Sequence, residues 1–250
     1  MISIVLAAGY ATRLYPLTEN FPKPLLNVGS KTILNWLLDD IDLQPEITGH
    51  VIISNHKFIK HFEEWKKNQS YSKPVVLLDD GSVDNDHRLG AVKDIQFAVN
   101  SLKINEDLLV VAGDNVVDFS FGDFIKFAKE KNTSCVMCHE ENNLIKQQKT
   151  AIIVKDKNDL ITSYEEKPIT PKGNLAVPPF YCYLNKDVEK IEEAVNEGCS
   201  TDAPGSFAAW LSNKVNVHAW MMTGKRYDIG DMKSYEYVKN VFAENKKSIL

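Results

Sequence analysis

Short unbroken apolar runs alternate along the chain with amphipathic stretches. Residues 2–6 and 108–112 read as strands covered on both faces, because a strand with one face in water would alternate apolar and polar positions, and residues 51–54 and 75–78 read as two further strands. Between them, Ile33, Leu34, Leu37, Leu38 and Ile41 share one face of a helix with Thr32 as its N-cap. Phe58, Ile59, Phe62 and Trp65 mark a second helix, whose lysines and glutamates read as a solvated outer face. Val92, Ile95, Val99 and Leu102 mark a third, over residues 89–102. Four strand-then-helix units predict an α/β fold with a doubly wound, mostly parallel sheet, whose ligands bind beyond the carboxyl ends of the strands. Residues 7–23, 79–90 and 113–118 occupy those places.

From residue 134 the rhythm shortens. Residues 135–139, 151–154, 160–165, 180–184 and 215–222 read as strands of a smaller, mixed or antiparallel part. One helix is expected over residues 187–196 with Gly198 as its stop, and a last one over 234–242. Residues 200–211, with Asp202, Phe207 and Trp210, read as a packed surface turn in preference to a cap over a ligand. Cys135 and Cys138 form a C-x-x-C inside a strand, where positions three apart face opposite ways; small buried residues are expected, not a zinc or redox pair.

Composition changes the picture mainly by exclusion. Apolar residues are 44% and charged residues 25%, values of a chain that buries a core. The net charge of -5 gives no footprint for a nucleic-acid backbone, although a free nucleotide is compatible with it. No apolar run is long enough to cross a bilayer, so a soluble cytoplasmic protein with no membrane partner is expected. Only three residues are arginines, Arg13, Arg88 and Arg226, and each lies in or beside a segment suited to phosphate or ligand.

The first turn, L-A-A-G-Y-A-T-R-L over residues 6–14, fits neither G-x-G-x-x-G nor the P-loop pattern. Small residues at 7, 8, 9 and 11 let backbone approach a flat or phosphorylated ligand, and Arg13 adds a planar cation for phosphate oxygens. Lys23 stands between Pro22 and Pro24, which hold its stem in a defined direction. These segments, with P-K-P-L-L (residues 22–26), G-D-N (113–115), E-E-K-P (165–168) and Y-D-I-G (227–230), follow one another in an order and spacing that resembles the sugar-phosphate nucleotidyltransferases, the family of glucose-1-phosphate thymidylyltransferase. The resemblance spans almost the whole chain.

It implies a Rossmann-like nucleotidyltransferase fold, a single domain over residues 1–250 with a nucleotide-binding half (1–133) and an acceptor-binding half with a closing helix (134–250). It also implies transfer of a nucleotidyl group from a nucleoside triphosphate to a phosphorylated small molecule, a sugar 1-phosphate, with loss of pyrophosphate. The chemistry suits the residues: a phosphate monoester is anionic at neutral pH and needs no general base, so cations and a metal are the expected equipment. Motif by motif, the resemblance implies Leu6, Ala7, Ala8, Gly9, Asn85, Gly90 and Asp114 at the nucleotide, and Arg13 and Lys23 as catalytic cations on the departing phosphates. It implies Lys167 on the acceptor phosphate, Glu166 and Tyr181 at the acceptor, and Asp114 and Asp228 as ligands of Mg²⁺. Asp118, Asp123 and Asp231 read as turn residues. Arg88 has three readings: phosphate contact, loop closure, or a pair with a neighbour such as Asp86.

The pattern departs from the thymidylyltransferases at Ala151 and Pro179, where that family places glycines whose backbone approaches the hexose. The base and the acceptor therefore stay open. So do a CTP-dependent cytidylyltransferase acting on a small phosphorylated alcohol or phosphonate, a catalytically silent nucleotide-binding module, and assembly into a homo-oligomer.

Overall fold

A computed structural model describes residues 1–244. In chain order the elements are β1 (Ile2–Leu6), β2 (Asn27–Val28), β3 (Lys31–Thr32), α1 (Ile33–Ile41), β4 (Gly49–Ser54), α2 (Ile59–Lys67), β5 (Val75–Asp79), α3 (Ala91–Leu102), β6 (Leu108–Ala112), β7 (Asn115–Val117), α4 (Gly122–Lys131) and β8 (Ser134–Glu140). There follow α5 (Leu144–Gln147), β9 (Ala151–Lys155), β10 (Ile161–Glu166), β11 (Leu175–Val177), β12 (Phe180–Tyr183), α6 (Asn185–Val188), α7 (Ile191–Asn196), α8 (Gly205–Ser212), β13 (Val217–Met221), β14 (Arg226–Asp228) and α9 (Met232–Glu244). Two compact units share the chain. The first comprises residues 1–4, 89–111 and 122–223; the second comprises residues 5–88, 112–121 and those from Gly224 on.

The second unit carries the strand order β1-β4-β5, with β4 and β5 parallel from His50↔Val75 to Ser54↔Asp79. Every residue of β4 is buried, the apolar Val51, Ile52 and Ile53 together with the polar His50 and Ser54. Thr32 caps α1 by accepting from the Asn35 backbone N–H, and the five predicted apolar positions of that helix are buried. A separate antiparallel ribbon of β7 and β14 pairs Asn115 with Asp228, Val116 with Tyr227 and Val117 with Arg226. One core cluster joins Leu14, Leu26, Val28, Ile33, Val116, Ile229, Tyr235, Val238 and Phe242.

The first unit orders its strands β10-β9-β11-β8-β12-β6-β1 and adds β13 parallel to β8. The pairs from β10 to β6 are antiparallel, in line with the mixed pairing expected after residue 134. Cys135 and Cys138 are fully buried on β8, where burial pushes both thiols up to about 11. Among the described residues no helix is long and apolar enough to cross a membrane. The α/β class and the mixed sheet with a parallel part agree with the expectation.

Two local expectations are corrected. The single helix over 187–196 is two, α6 and α7; the Asp187 carboxylate is buried and accepts the Ser134 hydroxyl at 2.7 Å, anchoring that turn to β8. Residues 205–212 form a helix, not a turn, because Phe207, Ala208 and Leu211 bury one side of it completely. After β13, Asp228 ends a short strand of its own, β14, a segment too brief to show periodicity.

Candidate active site

In the second unit, four sequence motifs carry one buried apolar residue each into the same core. Leu14 follows Arg13, Leu26 closes the segment that begins at Lys23, Val116 lies two residues past Asp114, and Ile229 follows Asp228. Burying such side chains stabilises the fold by roughly 1.5–3 kcal/mol apiece, so packing that has nothing to do with chemistry fixes where the four polar neighbours stand. Lys23 is itself buried and donates Nζ–H to Asp114 Oδ2 at 2.9 Å. Asn115 donates Nδ2–H to Asp114 Oδ1 at 2.7 Å. Burial alone would raise the Asp114 carboxyl, but the Lys23 ammonium, helped by the Arg226 guanidinium, outweighs it and holds the group below the usual carboxylate range.

Gly113 is glycine for a steric reason: an added Cβ would lie 3.0 Å from Val5 Cγ1 and 3.2 Å from the Leu6 carbonyl, with Pro24 at 3.5 Å. The Gly113 N–H donates to that Leu6 carbonyl at 2.9 Å, so G-D-N is laid directly against β1 and the P-K-P segment. Ala7 donates to the Ile53 carbonyl, and buried Asn55 donates to the Ala8 carbonyl, which fixes the turn after β1. Gly9 is exposed, and nothing lies within 4 Å of where its Cβ would be. The fold therefore leaves room beside that backbone without using it. Ala11 takes a left-handed conformation (φ +48°), with its carbonyl accepting from Thr18 Oγ1, and starts the short 3-10 turn that carries Arg13. Arg13 is exposed and reaches within 3.8 Å of the Gly230 Cβ position, and its charge helps lower the Asp231 carboxyl after the larger contribution of Ser234.

The loop after β5 is tied to the first turn by Tyr10, whose hydroxyl donates to the Ser82 carbonyl at 3.0 Å. Asn85 is exposed, and Arg88 donates to both its carbonyl and its side-chain oxygen at 3.1 and 2.9 Å. Of the three readings of Arg88, this contact fits closure of the loop.

The first unit holds the remaining predicted residues. Gly90 is buried, with φ +90°, and caps α3; the Ala91 and Val92 N–H groups donate to the carbonyls of Asp202 and Thr201. Glu166 ends β10, and burial raises its carboxyl against the opposing pull of Lys167. Lys167 is exposed and left-handed at φ +47°, held by its N–H on the Thr150 carbonyl at 3.1 Å. A non-glycine residue held there is a strained position of the kind that clusters at functional sites. Tyr181 is buried on β12, and its ring stacks on Tyr183 at 5.6 Å. Gly205 opens α8, and a Cβ there would lie 3.0 Å from Glu166 Oε2, 3.1 Å from the Tyr164 hydroxyl and 3.2 Å from the Tyr181 hydroxyl.

The profile of the nucleotidyl transferase family matches residues 2–245. The chain belongs to that family. Among curated relatives it is 29% identical over 213 residues to a UTP–glucose-1-phosphate uridylyltransferase, AglF, of Haloferax volcanii, covering 78% of this chain and 82% of that protein. It is 30% identical over 194 residues to the bifunctional protein GlmU of Methanococcus aeolicus, covering 77% of this chain but only 42% of the relative. The solved structure of a UDP-glucose pyrophosphorylase complexed with UDP-glucose shares the fold, with a TM-score of 0.82 at 18% identity over 98% of each chain.

Two residues of this nucleotidyl transferase escaped the motif reading. Arg226 donates Nη1–H to Asn115 Oδ1 at 2.9 Å and lies 3.5 Å from Asp228 Oδ2; the scarcity of arginine was its only signal. Gly205 packs against the Glu166 carboxylate, and no local pattern could have paired residues 166 and 205.

Proposed function

We propose that this chain joins a nucleoside triphosphate to a sugar 1-phosphate, giving a nucleoside-diphosphate sugar and pyrophosphate. An oxygen of the acceptor phosphate attacks the α-phosphorus, a new P–O bond forms there, and the bond to the bridging oxygen of the β-phosphate breaks, so that oxygen leaves with pyrophosphate. The observation that carries the reading is the shared core of the second unit, which sets Arg13, Lys23, Asp114 and Asp228 on motifs packed together.

The turn of Leu6, Ala7, Ala8 and Gly9 receives the nucleotide, with open room beside Gly9 for it. Asn85 and Gly90 serve the base and ribose. Arg13 and Lys23 draw charge from the β- and γ-phosphates as pyrophosphate departs, so each counts for more in the transition state than in binding. Lys167 neutralises the acceptor phosphate, and Glu166 with Tyr181 takes the acceptor hydroxyls.

Asp114 and Asp228 suit Mg²⁺ as hard oxygen donors brought into adjacent register by the β7–β14 ribbon, the remaining ligands being phosphate oxygens and water. Bound there, the metal would neutralise phosphate charge and align the α-phosphorus.

The test is pyrophosphate release across a panel of nucleoside triphosphates and phosphorylated acceptors, run with Mg²⁺. One productive pair is expected. Binding of nucleotide with no reaction in any pair would leave a silent module instead, and reaction only with CTP and a phosphorylated alcohol or phosphonate would replace the sugar acceptor.

A further inference from the structure

Arg226 has no part in the proposed transfer, yet its side chain is only 22% exposed and touches both strands of the ribbon. Positions 226 and 228 lie two apart on β14 and so share a face, while the ladder sets Asn115 opposite Asp228. One guanidinium thereby bonds the neighbour of Asp114 through Nη1 and stands 3.5 Å from Asp228 through Nη2. Lys23 meets Asp114 from the other side at 2.9 Å. The charges of this group cancel: Asp114 and Asp228 contribute two negative, Lys23 and Arg226 two positive.

We propose that Arg226 is a resident counter-cation of the carboxylate pair, a positioning residue that makes the pair electrically neutral toward a free divalent ion until a triphosphate arrives. The inference rests on the assignment of Asp114 and Asp228 as metal ligands. A divalent cation approaching a dianionic pair is strongly attracted; approaching the same pair with two cations beside it, it meets no net charge. A triphosphate reverses the balance, because its negative charge engages the cations and attracts the metal at once. Metal and nucleotide then enter together, and metal alone binds weakly. Two charges of +1 and +2 about 6 Å apart under water-like screening repel by roughly the equivalent of a tenfold change in affinity, and removing the positive charge is expected to be felt on that scale.

The experiment is a titration of the full chain with Mn²⁺, free ion being read by electron paramagnetic resonance, in the absence of nucleotide. Arg226→Gln keeps an N–H donor for Asn115 but removes the charge, and it is expected to bind Mn²⁺ about tenfold more tightly than wild type. Arg226→Lys keeps the charge and is expected to stay within about twofold of wild type. Adding Asp228→Asn to Arg226→Gln should abolish the gain, tying it to this pair. A residue with a purely structural role would, when replaced, weaken Mn²⁺ binding or leave it unchanged, so that result in folded Arg226→Gln overturns the proposal. If Arg226→Gln does not fold, Arg226→Met is the second variant, with the same expectation. Unchanged Mn²⁺ affinity alongside normal pyrophosphate release removes the counter-cation and leaves the transferase standing. Absence of Mn²⁺ binding in every variant, even with triphosphate present, removes the metal assignment itself.

Discussion

Gly90 and Gly9 both fall in motifs assigned to the nucleotide, and the structure gives their alanine variants opposite fates. At Gly90 the backbone has φ +90° and ψ 152°, a region that is essentially glycine-only, at a cost of about 1–3 kcal/mol for any other residue. The new methyl would lie 2.5 Å from the Thr201 carbonyl oxygen and 2.8 Å from its carbon, so the 201–202 backbone must move. That movement weakens the bonds from Val92 N–H to Thr201 and from Ala91 N–H to Asp202, each contributing about 0.5–1.5 kcal/mol. Gly90→Ala is therefore expected to lose about 3–5 kcal/mol, a fall in Tm of about 6–20 °C for a chain of this size. At Gly9 nothing lies within 4 Å of the new methyl, and no left-handed φ stands in the way. Gly9→Ala should keep its stability within about 1 kcal/mol of wild type while losing nucleotide affinity, because the methyl enters the room left for the ligand. Calorimetric unfolding with and without nucleoside triphosphate reads both. A Tm within about 2 °C of wild type for Gly90→Ala would refute the steric argument, and undiminished nucleotide stabilisation of Gly9→Ala would refute the assignment of that turn.

Three further outcomes are expected. Asp42 is buried; burial pushes its carboxyl up, but hydrogen bonds from His50 and from the Ser72 and Lys73 amides prevail and lower it to about 2. The stability it adds is complete above the unfolded carboxyl pKa near 4 and is lost as pH falls toward 2; buried His50, lowered by desolvation, adds a loss that starts below about 6.5. Urea titrations at pH 7, 5 and 3 should show stability falling in both windows, and Asp42→Asn should flatten the more acidic one. Gly205→Ala should raise the KM for the acceptor severalfold with little change for the triphosphate, because the methyl meets Glu166 Oε2 at 3.0 Å; equal effects on both substrates in steady-state kinetics would contradict this. With thiols near pKa 11, folded Cys135 and Cys138 should resist alkylation at pH 8 while half-buried Cys199 reacts first, as mass spectrometry of timed samples can show.

Several features were decided within a few residues and so were legible from the sequence alone. The apolar runs of β1 and β6 declare covered strands, Thr32 declares a helix start, and short motifs must keep Arg13, Lys23 and Asp114 near small or turn-forming neighbours whatever the distant packing. Tertiary structure alone decided the rest. Periodicity reports which face of an element is buried, never what buries it, so α8 became a helix only through the burial of Phe207, Ala208 and Leu211. Arg226 reaches Asn115 across 111 residues because a ladder register put their strands side by side. Gly205 meets Glu166 only because β10 and α8 pack together. Contacts at such separations depend on how whole elements dock, and docking is fixed by summed burial over the fold, a quantity no short window of sequence contains.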